Sequence, residues 1–485
     1  MDIKKLMESR LTAFEAERNR LVESWSPVVG SLERHYAKQG KTLTAHDKRN
    51  ISRILENSLI EATGRSRSKL LETTDTSSID FLALQLPVIA ALLPSLALNK
   101  VATVQALDRR SAGVFYLDVK YGQAKGAVAA AGTLIGAKTG QARTADGKVY
   151  ASTRIAAEAV SGTGTTFSSK VLGYFPVVAG TVVITGSDEV FTDDGEGNLD
   201  SSVSGGNTGS IVYATGVWSV VFQNNQASGE VTSAYRYNYE TGGVAGAVAS
   251  NVPTVDVDLT YETVTAEDFP LRANFTLAGA IDLEKAQGLN LEDELVKYLG
   301  GELKFTVDHL GLDLMNAASV GTGCATTPGT YTATPSTGEA WVWKKYQVLD
   351  FIEKANVNII NKTLRAMCNF MVVGNDAARL IRQLSPNFKF AAGVESMAPT
   401  GPYELGTLDG RLVIHDPLMD ATQMVFGYKG DNYLTSGFLY CPYVPLFSTP
   451  TLVTADLKAQ KGFMSSAGFH VTNPGMFARG NITIV

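Results

Sequence analysis

The sequence predicts an α+β protein with an all-β module inserted into it, and three textures along its 485 residues carry that expectation. Apolar residues recur at helical spacing near the start and again from Asn290. Strand-forming runs crowd the stretch from Val171 to Tyr239, and the last third alternates helical and strand patterns. A chain of this length exceeds one ordinary core, so roughly two to four domains or one elaborated fold are expected.

Met7, Leu11, Phe14, Leu21 and Trp25 form one apolar stripe with Arg and Glu between them, the mark of an amphipathic helix. Ile51, Ile54, Leu55 and Leu59 form a second, with Thr44 placed to cap its start. The run from Phe81 to Leu98 approaches membrane-spanning length, but Gln85, Pro87 and Pro94 interrupt it, and it reads as a buried helix or arm. "GVFYLDVKYG", from Gly113, reads as a strand; the Gly/Ala-rich stretch from Gly122 to Arg143 is too small-sided to build a core and reads as an extended, mobile or partner-dependent loop.

From Val171 to Tyr239, β-branched and aromatic runs separated by Asp-Gly, Gly-Asn and Gly-Gly turns predict a small Ig-like β-sandwich. Asn290, a candidate N-cap, opens the longest helical pattern, in which Leu291, Leu295, Leu299 and Leu303 step by four. Continued to Asn316 it would be about 40 Å long, with Gly300-Gly301 as its weak point. The last third reads as a mixed α/β lobe. "KYQVLDFIEKANVNII" and "DAARLIRQL" are helical; "CNFMVVGN", "LGTLDGRLVIHDPL", "QMVFGYKG" and "FLYCPYVPLF" are strands.

Composition narrows the function. Apolar residues make up 45% and charged residues 19%, a globular profile with a surface poor in charge. The net charge of −6 is uneven: residues 1–70 hold 14 Lys/Arg against 9 Asp/Glu, and the remainder 28 against 39. An acidic body is unsuited to phosphate recognition, whereas the basic first segment suits a solvated helix or weak contact with nucleic acid. Cys324, Cys368 and Cys441 are too sparse for a disulfide framework and point to a reducing compartment, and Met1 to Arg10 lacks the apolar centre of a secretory signal.

Catalytic and metal motifs are sought without result. His35, His46, His309, His415 and His470 fall in no local motif with Cys or Ser, and no G-x-S-x-G elbow occurs. No Cys/His pair has zinc spacing, so no metal is expected. "DDGEGNLD", from Asp193, imitates a calcium loop but has its glycine misplaced and reads as a hairpin turn. "GTLIGAKTG", from Gly132, fails the spacing of a phosphate loop, and no dinucleotide fingerprint is present, so no cofactor is expected. Cys441, among Phe438, Tyr440, Tyr443 and Phe447 with no base beside it, reads as a packed structural thiol.

Four segments together resemble the major capsid proteins of tailed phages of the T-even myovirus type. They are "VQALDRRSAGVFYLDVKYG" (Val104 to Gly122), "ANFTLAGAIDLEKAQGLNLEDELVKYLGGELKFTVD" (Ala273 to Asp308), "LGTLDGRLVIHDPL" followed by "VFGYKG", and "GFLYCPYVPLF". Order and spacing agree over about residues 75 to 125 and 255 to 485. The resemblance implies a Hong Kong 97-type capsid fold. Residues 1–78 would be a helical N-terminal arm and 79–111 its entry into the shell core. Residues 112–268 would form the extended loop, with the β-module at about 171–239. Residues 269–340 would be the peripheral domain with a spine helix at about 290–316, 341–437 the axial domain, and 438–485 the return to the peripheral domain. Family members shed an N-terminal peptide after Leu/Ile-x-Glu, which Ile54-Leu-Glu56 and Leu70-Leu-Glu72 both fit.

The function so implied is structural. A non-enzymatic subunit would build an icosahedral head around double-stranded DNA, assembling in the bacterial host cytoplasm and residing in the virion shell. Its partners would be itself, as hexamers and possibly pentamers, with portal, scaffold and decoration proteins, the packaged DNA by weak contact, and no membrane. Candidate contacts between subunits are Arg109 and Arg110, where the arm meets the sheet, and Glu292, Lys297, Glu302 and Lys304 on the long helix. Candidate DNA-facing residues are Lys4, Lys5, Arg10, Arg18 and Arg20. A vertex-forming pentamer paralogue and an encapsulin-like shell protein are near alternatives. From another class, a glycan-active enzyme with a β binding module would need two carboxylates about 5–10 Å apart in a cleft, and no paired acidic motif supplies them.

Overall fold

The computed structural model describes residues 3–38, 43–63, 96–130, 133–135, 145–203, 207–239, 252–276, 278–279, 283, 285–286, 288, 291–335, 337–363, 366–384, 386–391, 401–430, 436–449, 451–453 and 458–483. They form two compact units, one of Met1–Tyr116 with Tyr261–Val485 and one of Leu117–Thr260.

The chain begins with helices α1 (Ile3–Lys38), α2 (Ala45–Thr63) and α3 (Leu98–Val101), then strands β1 (Thr103–Val104), β2 (Ser111–Tyr121) and β3 (Thr133–Ile135). After α4 (Ala145–Lys148) come β4 (Arg154–Ala159), β5 (Gly164–Val171), β6 (Val183–Thr185) and β7 (Val190–Asp193). Next are β8 (Asn198–Ser201), β9 (Gly209–Val212), β10 (Val217–Gln226) and β11 (Thr232–Arg236). Strands β12 (Val255–Thr265) and β13 (Glu267–Thr276) lead to the long helix α5 (Leu291–Ala318) and β14 (Gly329–Thr332). Helices α6 (Trp341–Tyr346) and α7 (Val348–Thr363), β15 (Phe370–Val373), α8 (Asn375–Ile381) and β16 (Phe388–Phe390) follow. The chain closes with β17 (Tyr403–Leu408), β18 (Arg411–His415), β19 (Gln423–Gly427), β20 (Phe438–Ser448), β21 (Leu452–Val453), β22 (Lys458–Val471) and β23 (Phe477–Thr483).

In the first unit the later part of the α1 stripe packs on that of α2, and the side chains of Met7, Leu11 and Phe14 lie outside the described residues. Trp25 and Val29 of α1 pack with Ile54, Leu55 and Leu59 of α2, and the Trp25 indole donates to the buried Glu56 carboxylate at 2.7 Å. Thr44 caps α2 as its position predicts. The Asp47 amide donates to its hydroxyl at 3.2 Å, and the Asp47 side chain receives the Thr44 amide at 3.0 Å, a reciprocal cap. The candidate N-cap Asn290 and most of the apolar run, Phe81 to Pro94 with Ser95, lie outside the described residues; Leu96 and Leu98 are buried. Among the described residues no helix is long and apolar enough to cross a membrane.

Two sheets meet around α5. One has strand order β1-β20-β22-β13, with β21 beside β22; the other is β14-β23-β19-β15-β18-β17-β16. Strand β15 is buried throughout because its alternate residues feed two cores. Met371 and Val373 join one with α7 and α8, and Phe370 and Val372 join the other with Val307, Leu312 and Met315 of α5. A strand covered on both faces needs an unbroken apolar run, which "FMVV" provides. Helix α5 runs through Gly300-Gly301 without a break over 28 residues, about 42 Å. A glycine is needed further along, since a Cβ at Gly311 would lie 2.7 Å from the Leu98 side chain of α3.

One segment departs from expectation. Residues 438–485 do not all return to the sheet that holds β20 and β22: β23 inserts between β14 and β19 of the seven-stranded sheet, parallel to β14 and antiparallel to β19. Strand β14, from the segment expected in the peripheral domain, goes with it.

The second unit holds eight antiparallel strands in the order β4-β11-β6-β7-β8-β9-β10-β5. They start at Arg154, ahead of the expected Val171, and make one continuous sheet rather than two separately bonded ones. Every strand contributes to a single core, from Ile155 and Phe167 at the two edges to Trp218 and Phe222 between, so the sheet must roll on itself. Register shifts in the β5–β10 and β4–β11 pairs supply the bends. The Gly/Ala-rich stretch is more ordered at its start than a mobile loop. Lys125 bridges to Val128 and is buried, its ammonium donating to the carbonyls of Tyr150 at 2.9 Å, Val149 at 3.5 Å and Ser152. Burial, opposed by Asp146, lowers that lysine to about 8.

Candidate assembly surfaces

Arg109 and Arg110 follow β1 and precede β2, at the corner where the first helices reach the sheet. Both are exposed. Arg110 is engaged within its own chain: one guanidinium nitrogen meets Asp268 at 2.6 Å and another meets Glu61 of α2 at 3.0 Å. The Ser466 hydroxyl and Arg110, against a desolvation cost, hold the Asp268 carboxyl below its ordinary range. Arg109 takes no part in these two bridges.

On α5 the four predicted residues separate. The side chains of Glu292 and Lys297 lie outside what is described. Glu302 is exposed, but Lys304 is half-buried, and burial lowers its ammonium pKa. Positions two apart on a helix point in different directions, so of these two it is Glu302 that stands on the exposed surface. Of the basic residues in α1, Arg20 is exposed, and the side chains of Lys4, Lys5, Arg10 and Arg18 are outside the described set.

The reactive-looking groups resolve into structure. Cys441 is fully buried in β20 among Leu107, Val114, Val264 and Leu439, and burial pushes its thiol up to about 12. Asp193 receives the Gly180 and Gly195 amides at 2.6 and 3.1 Å and the Tyr213 hydroxyl at 2.6 Å. Asp194 receives the Glu196 amide at 2.7 Å and the Asn198 amide at 3.1 Å, so these loop carboxylates serve their own turn. Among the described residues no group of three or more His, Cys, Asp or Glu is placed to hold a metal ion. Glu56 of the Ile54-Leu-Glu56 sequence sits inside α2 against Trp25, and Leu70-Leu-Glu72 lies outside the described residues.

A patch not singled out in the sequence is the most exposed aromatic surface of the seven-stranded lobe among the described residues. Helix α6 buries none of its residues: Trp343 is 72% exposed, Val342 62%, and Trp341 and Tyr346 stand partly open beside them. The Lys345 ammonium lies 5.1 Å from the centre of the Trp341 ring. The signal was present as "AWVWKKY", but the helical pattern that follows it absorbed the segment. Aromatic residues gathered at a surface are a common feature of protein contact patches.

The sequence profile described as Major capsid protein Gp23 matches residues 81–483. The chain belongs to the Gp23 major capsid protein family. This Gp23-family chain is 25% identical over 228 residues to the major capsid protein of Enterobacteria phage T4, which covers 44% of each. It is 24% identical over 230 residues to that of Serratia phage KSP90, covering 46% of this chain and 52% of the relative. The matches therefore span about half the length of these relatives. Among solved structures, the capsid of Myoviridae phage XM1 aligns at 10% identity with a TM-score of 0.35, over 51% of this chain and 82% of that one. The capsid of cyanophage P-SCSP1u aligns at 8% with a TM-score of 0.33, over 51% and 80%.

Proposed function

We propose that this Gp23-family chain is the major building block of an icosahedral phage head, a structural subunit that closes a shell around double-stranded DNA and performs no reaction. The observation that carries this reading is the family match, which takes in both sheets and α5. In a Hong Kong 97-type arrangement, α5 would be the spine and the segment from Trp341 to Gly437 the axial lobe. Residues 112–268 would be the extended loop with the rolled β-module, and residues 1–78 the arm. Partners would be further copies as hexamers and possibly pentamers, with portal, scaffold and decoration proteins. The exposed α6 aromatics and Arg109 are the contacts we assign to neighbouring copies, and Arg20 with the other basic residues of α1 would face packaged DNA. Quantitative mass spectrometry of purified virions is the test. The chain should be the most abundant protein of the particle; a small minority share would make it a vertex paralogue, and absence would end the proposal.

A further inference from the structure

Helix α5 carries two neighbouring residues that grip different parts of the chain. Asp308 is buried, and its carboxylate oxygens receive the amides of Ala97 and Leu98, each at 3.0 Å, where the chain turns into α3. His309, one residue on, brings Nδ1 to 3.1 Å from Oδ2 of Asp416, which follows β18. Asp416 is buried too: its other oxygen receives the Leu418 amide at 3.0 Å, and its own amide donates to the Val373 carbonyl at 3.1 Å. Through Asp308 and His309, α5 holds both the segment entering α3 and the turn after β18.

Charge is costly at this junction. Leu96, Leu98, Val307, Leu312 and Ile414 belong to one apolar core around it. Facing Asp308 are Lys304 of its own helix, which favours its ionisation, Asp416, which opposes it, and the fully buried Tyr440 of β20. Lys100, the charge of α3, is taken up by Glu404 of β17, and the His415 ring turns to Tyr403 and Asn375. The His309 side chain is 33% exposed, so solvent protons reach the pair with Asp416 through it. With both acids ionised and the imidazole neutral, the three residues bring two negative charges into the core. With Asp308 protonated and the imidazole charged, they bring no net charge.

We infer that Asp308, His309 and Asp416 form an acid-tightened joint: loss of their protons loosens the hold of α5 on residues 96–101 and on the turn at 415–418. The joint does not depend on the reading of the chain as a shell subunit. Burial pushes the Asp308 carboxyl up to about 6, against about 4 once the segment opens to water. A folded value raised in this way makes the contribution full at low pH and lost as pH rises through about 6. A local opening that frees Asp308 is therefore favoured about ten-fold more at about pH 7.5 than at about pH 5.

Hydrogen–deuterium exchange of the full chain at those two pH values, corrected for the intrinsic chemical rate, reads the joint directly. Residues 96–101 should lose about ten-fold in protection at the higher pH, residues 415–418 should change in the same direction, and α7 should not change. Asp308→Asn should remove the pH dependence at 96–101. His309→Gln should remove it at 415–418 while leaving it at 96–101. A purely structural role would instead lower protection equally at both pH values. Corrected protection of wild-type 96–101 that is the same at both, or a pH dependence that survives Asp308→Asn, overturns the inference. Should Asp308→Asn fail to fold, the wild-type comparison against α7 still decides it.

Discussion

Asp308 shows how one residue ties the arm to the long helix. Its buried carboxylate receives the Ala97 and Leu98 amides, each at 3.0 Å, where α3 meets α5. Burial, opposed by those amides and by Lys304, pushes it up to about 6. The folded chain therefore holds a proton that an unfolded carboxyl releases near pH 4, so the contribution of this residue to stability is full at low pH and is lost as pH rises through 6. Asp308→Asn should flatten the pH dependence of the urea midpoint between about pH 4 and 6, a change on the order of 3 kcal/mol, and an unaltered slope would refute the assignment. None of this is legible in the sequence, where Asp308 is one acid in a helical pattern. The same holds for Lys125: a lysine in a Gly/Ala-rich stretch looks solvated, and only tertiary carbonyls make its burial possible.

At the scale of elements, periodicity carries most of the information. The α2 stripe with Leu21 and Trp25 of α1, the Thr44 cap, the long helix and the buried β15 follow from local spacing and were readable. Pairing between distant strands was not. Nothing local tells β23 to join β14 and β19 instead of β22, or tells eight short strands to roll as one sheet instead of splitting into two. The rolled sheet depends on its aromatic centre, where the Phe222 ring meets Phe191 at 5.2 Å and Phe167 at 5.6 Å, both edge-on. Phe222→Ala should cost about 3–5 kcal/mol in chemical unfolding followed by Trp218 fluorescence, while the exposed Val221→Thr of the same strand should stay within about 0.5 kcal/mol. Equal effects would mean that the core does not lie on that face.

For the whole molecule, an acidic body, a basic beginning and an exposed aromatic helix together describe a surface meant for repetition. The charge division was legible, because counting needs no fold. The α6 patch was not, because exposure is a tertiary property. Trp343→Ala should leave thermal stability within about 0.5 kcal/mol of wild type yet hinder assembly; a large loss of stability with normal assembly would place the side chain in the fold and not in a contact. Reversing Lys4, Lys5, Arg10, Arg18 and Arg20 to Glu should impair genome retention in particles while empty shells still form, and undiminished DNA content would remove the DNA-facing assignment. The central claim is that copies of this chain complete one another's surfaces. Electron microscopy of the purified full-length protein over a concentration series tests it most directly: rings and closed shells are the predicted result, and a monodisperse monomer at every concentration would contradict it.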